Sequence, residues 1–155
     1  MANNTKMGQI FKSYPPVTIP SVPLAASVAF KNLGGKFMTK DGSGNYALSV
    51  ATDSQIAGWA DVGEFTSSAS AAAQTAPLIV DLGAIFEIPV DAAITDASLI
   101  ALIGLTCDLV VNAGIQQAAI GTSTYDVVKI VGGSVANQTV YVQINPAKFY
   151  TAGVV

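Results

Sequence analysis

The chain has 155 residues, 51% of them hydrophobic and only 11% charged, with a net charge of −3. An ordinary soluble domain is about 25% charged, so a chain this poor in charge is expected to hide surface in protein contacts or in a membrane. Its seven lysines come without arginine and without a basic cluster, which excludes a nucleic-acid interface built on phosphate contacts.

The membrane option fails on length. A spanning helix needs about 20 consecutive apolar residues, and residues 97–107 are too few, while residues 13–30 contain Pro15, Pro16, Pro20 and Pro23. The N-terminus MANNTKMGQIFK lacks the basic start and apolar run of a secretory signal. The single cysteine, Cys107, has no internal disulfide partner, which suits a reducing compartment. Synthesis in a cytoplasm followed by burial in an assembly is the expectation.

Residues 1–24 form the first unit. Its stretch FKSYPPVTIPSVPL mixes prolines with aromatic and β-branched residues. Proline fixes φ and biases the preceding residue to extended geometry, which predicts an extended arm rather than a helix. Ile10, Phe11, Tyr14, Val17, Ile19 and Val22 need an apolar surface. Two resting places are open: the arm's own domain, or a neighbouring subunit or partner. The second makes these six residues candidate contacts and predicts that deleting residues 2–24 leaves the remaining domain folded.

Residues 25–155 are expected to form one β-rich domain, a small barrel or sandwich with one short helix. Strands are predicted at 28–30, 36–39, 46–50 and 55–62, with the turn sequence Asp41-Gly42-Ser43-Gly44-Asn45 between the second and third. Residues 66–75 fit either a loop or a short helix. Residues 78–82 and 84–89 read as a strand pair about Gly83. The helix falls within 91–105, capped by Asp96 and ended by Gly104. Strands 107–111 and 115–119 flank Asn112-Ala113-Gly114. The plainest signal is 125–145. Val140, Val142 and Ile144 alternate with Thr139, Tyr141 and Gln143, and Gly132-Gly133 begins the loop to a preceding β-branched strand.

Reactive constellations are few. The chain has no histidine, which removes imidazole ligands and the commonest general base. Cys107 lacks a basic neighbour in sequence and reads as a core residue. Asp41, Ser43 and Asn45 occupy the first ligand positions of a calcium loop, but Tyr46 stands at its glycine and Thr52 at its glutamate. No metal or cofactor is therefore expected. Asp61 with Glu64, or Asp91 with Asp96, would be the acid–base pairs of a glycosidase if the fold spaced them suitably. Each also fits a turn, a cap or a solvated surface. Trp59, beside Gly58, suits sugar stacking, a subunit contact, or a core aromatic against a closely approached backbone.

In order, the arm is followed by residues 28–61 (VAFKNLGGKFMTKDGSGNYALSVATDSQIAGWAD), 81–91 (DLGAIFEIPVD) and 125–148 (YDVVKIVGGSVANQTVYVQINPAK). A Gly-Gly-x-aromatic strand leads through a polar turn to an IAGWA strand. This succession resembles the head decoration, or cement, proteins of tailed bacteriophages, across residues 25–148 and in the character of the arm. The resemblance implies a non-enzymatic virion protein on the capsid exterior, a trimer whose partner is the major capsid protein. It supplies no catalytic residue. The alternative is a β-sandwich module for host attachment or carbohydrate binding, with Trp59, Tyr141 and Tyr150 as stacking residues.

Overall fold

The computed structural model describes residues 16–149. In chain order the elements are β1 (Thr18–Pro23), β2 (Ala29–Phe30), β3 (Phe37–Lys40), β4 (Tyr46–Leu48), β5 (Gly58–Ala60), β6 (Phe65–Thr66), β7 (Thr75–Ile79), β8 (Phe86–Pro89), α1 (Asp96–Leu102), β9 (Thr106–Asn112), β10 (Ile115–Ala119), β11 (Val128–Ser134) and β12 (Thr139–Ile144). A 3₁₀ turn, Pro146–Lys148, follows β12. The described residues are mainly β with one α-helix, as the turn spacing predicts. Two five-stranded sheets, ordered β1-β7-β5-β3-β4 and β10-β9-β11-β12-β8, stand beside a two-stranded β2-β6 sheet. Single parallel bridges, Leu24 to Tyr46 and Val90 to Ala118, curl the two large sheets without closing a barrel.

The central strands of the first large sheet, β3, β5 and β7, carry buried residues on both of its faces, while the edge strand β1 is largely exposed. Met38, Ala60 and Leu78 face inward with Val22, Leu24 and Phe30. Phe37, Trp59 and Ile79 face the second sheet and join Phe86, Ile88, Leu109, Ile130 and Val142 in the larger core. Registers Phe37↔Trp59 and Trp59↔Ile79 set these three in one row. Trp59 stacks on Phe86 at 4.6 Å between ring centroids and meets Phe37 edge-on at 4.9 Å. Gly58, at φ +153°, makes room: a Cβ there would lie 2.6 Å from the Ile79 carbonyl oxygen. Of the roles open to Trp59, the core aromatic beside a close backbone approach is the one the fold uses.

The β11–β12 hairpin carries Val140, Val142 and Ile144 inward as their alternation predicts. Its turn lies later than the glycines suggest. Gly132 and Gly133 belong to β11, and residues 135–138 make the turn. Glycine is needed at 133 for packing, because a Cβ would come 2.7 Å from the Thr139 carbonyl oxygen and 2.8 Å from Leu99 Cδ1 of α1.

Three further expectations change. Residues 78–82 and 84–89 do not pair: β7 and β8 lie in different large sheets, with the connection between them passing through Gly83. The helix cap is Thr95 rather than Asp96: Thr95 Oγ1 accepts from the Ser98 N–H while Ser98 Oγ accepts from the Thr95 N–H. A hydroxyl pair closes this box, and Asp96 serves in the first turn, where a carboxylate favours the helix dipole. Finally, the chain does not divide at residue 24. Thr18–Pro23 is a strand of the first sheet, paired with β7, and Val22 and Leu24 are core residues. Proline is tolerated because β1 is an edge strand whose register shifts between Ile19 and Val22, around Pro20.

Candidate interaction surface

Four of the seven candidate contacts fall within the described residues. Val17, just before β1, and Ile19, within it, are exposed. Val22 and Trp59 are buried in their own domain, at 4% and 2% exposure, and are withdrawn as contacts. The reason is register: both sit on faces of the first sheet that intramolecular packing covers. Ile10, Phe11 and Tyr14 lie outside the described residues.

Larger apolar exposure occurs where the sequence reading placed no site. The inner side of α1 packs Leu99 and Leu102 on the main core. Its outer side and the turn after it leave Ile100 at 72%, Ile103 at 49% and Leu105 at 54% exposure. Residues 97–105, ASLIALIGL, carry no charge. Hydrophobicity all round a helix normally signals burial on both sides, and that was the available signal. Elsewhere Leu33, Val50 and Leu82 are also exposed. Val50 helps line an open groove of about 290 Å³ with Val28, Leu48, Val111 and Gly114.

The groups that carry chemistry are engaged structurally. Asp41 Oδ1 accepts from the amides of Ser43 and Asn45 at 2.8 and 2.9 Å, so the calcium-like sequence forms the β3–β4 turn. Glu64 accepts from the Asn32 N–H and approaches Lys31 Nζ at 3.8 Å. Asp91 Oδ1 accepts from the Ile120 N–H. Burial, then the carboxylates of Asp108, Asp91 and Asp126, push the Cys107 thiol up to about 12, which suppresses the nucleophilic thiolate.

Two buried polar residues escaped the sequence reading. Gln116, on β10, reaches the other large sheet: its Oε1 accepts from the Phe37 N–H, and its Nε2 donates to the carbonyls of Phe37 and Ser49. Its side-chain amide completes backbone hydrogen bonding across the two sheets. Asp108, buried in β9, accepts from the amides of Thr124, Tyr125 and Asp126 and so shapes the loop before β11.

Comparison with protein-family models, with curated proteins and with solved structures finds no match.

Proposed function

We propose that this chain is a structural virion protein that binds the outer surface of a tailed-phage capsid and stabilises the shell by bridging coat subunits. The observation that carries the reading is the contrast between a well-packed interior and an apolar, charge-poor exterior. Both large sheets have filled cores, yet large aliphatic side chains remain exposed at β1, at the turn before β3 and around α1. A surface of this kind suits a protein held against others.

Magnitudes favour several contacts acting together. An apolar patch of about 300 Å² yields roughly 7 kcal/mol at about 25 cal/mol per Å². Loss of translational and rotational freedom costs about 4–15 kcal/mol, so one patch does not hold a free monomer. An oligomer, with the trimer as the expected form, presents several patches at once and gains by avidity. Residues 1–15, with Ile10, Phe11 and Tyr14, are proposed to add a tether to the coat. The carbohydrate-binding alternative loses its main stacking residue with the burial of Trp59.

The test is reconstitution. Purified protein added to expanded capsids that lack it is expected to co-sediment at saturating, fixed stoichiometry and to raise their resistance to heating. Failure to bind mature-form capsids, with binding instead to a glycan or a host surface, would overturn the proposal.

A further inference from the structure

We infer that α1 is a hinged lid: residues 95–103 lift off the second sheet as one unit, between fixed points at Ile94 and Gly104, while the rest of the domain stays folded. The inference does not depend on the capsid reading. Among the described residues, every hydrogen bond that residues 95–103 make ends within residues 95–105. No residue of α1 is buried. The apolar contacts that hold the segment down are those of Leu99 and Leu102, partly buried against the main core, with Leu99 lying over Gly133 of β11.

Both ends, by contrast, are tied to the sheet. Gln138 Oε1 accepts from the Ile94 N–H at 2.8 Å, its Nε2 donates to the Ile94 carbonyl at 3.0 Å, and Ile94 is buried. At the other end the Gly104 N–H donates to the Ile130 carbonyl at 2.8 Å, and the Ile130 N–H donates to the Leu105 carbonyl at 2.9 Å. Gly104 has φ +91° with open space around it, a backbone state that suits a glycine hinge. A segment with few buried contacts between two firm anchors is a unit of local opening. Seven residues are too few for a helix to persist alone, about 12–15 being marginal, so lifting Leu99 and Leu102 also melts α1. Opening sets these two leucines beside the already exposed Ile100, Ile103 and Leu105, so the segment holds in reserve a larger apolar surface than its closed form shows.

Amide hydrogen exchange, followed by NMR on the full chain in low concentrations of urea, tests this. The amides of Leu99 and Ile103, bonded within the segment, are expected to exchange roughly 100-fold faster than the core amides of β9, β11 and β12. Dilute urea should accelerate the two in step, because opening exposes apolar surface. The amides of Ile94 and Gly104 should keep the protection of the core. Ile79→Val removes a methylene between the two large sheets, a contact kept whether the lid is closed or open. It is expected to speed exchange of the core amides and to leave Leu99 and Ile103 unchanged. Equal protection of α1 and the core, with a parallel response to Ile79→Val, would overturn the inference, since α1 would then open only by global unfolding. Fast exchange indifferent to urea would overturn it too, as fraying without lifting.

Discussion

Gly58 holds the tightest backbone approach in the first sheet, and its replacement tests the packing of the Trp59 row. Gly58→Ala adds a methyl 2.6 Å from the Ile79 carbonyl oxygen at a φ of +153°. Overpacking of this kind costs about 1–3 kcal/mol, and the denaturation midpoint should fall accordingly. Gln116→Leu keeps the volume but orphans the Phe37 N–H and the Ser49 carbonyl. Each buried unpaired group costs about 1–3 kcal/mol, so this variant should be the less stable of the two. Cys107 has a pH signature. Its thiol has a folded value of about 12 against an ordinary 9.0, so the folded state keeps its proton where the unfolded state loses it. The stabilisation is complete below about pH 9 and is lost as pH rises toward 12. Urea titrations should show stability declining across that window, with a shallower decline in Cys107→Ala. Native Cys107 should also resist thiol reagents at pH 8 until the chain unfolds.

At the scale of elements, β1 is the segment whose role changes most. Its prolines argue against a ladder, yet they fall at an edge, around a register shift and at the strand's last residue. Deleting residues 2–24 removes β1 and the buried Val22 and Leu24, worth about 1.5–3 kcal/mol each. That variant should melt well below one lacking only residues 2–15. Equal melting of the two would contradict an integral β1. Legibility followed the range of the forces involved. The β11–β12 hairpin was readable because alternation and one buried face are local, and β9–β10 because Asn112-Ala113-Gly114 is a local turn signal. Pairing of β8 with β12 rather than with β7 was not readable, since the partner lies over 50 residues away. Gln116 was silent for the same reason: its carbonyl and amide partners are 67 and 79 residues distant. The α1 surface was partly legible, because an uncharged run marks the place without saying which side chains stay outside.

At the scale of the whole molecule, a chain with 11% charged residues has little to keep free copies apart. In the proposed role, contacts to a shell and between copies would remove the exposed aliphatic surface from water. Light scattering at micromolar concentration should report an oligomer, the trimer being expected, and a clean monomer under all conditions would leave the apolar exterior without its proposed use. The decisive measurement is quantitative mass spectrometry of purified phage particles, combined with surface labelling of intact virions. A capsid decoration role predicts many copies per particle, in fixed ratio to the major capsid protein and accessible to label from outside. Absence from the particle, or a few copies confined to the tail, would contradict it.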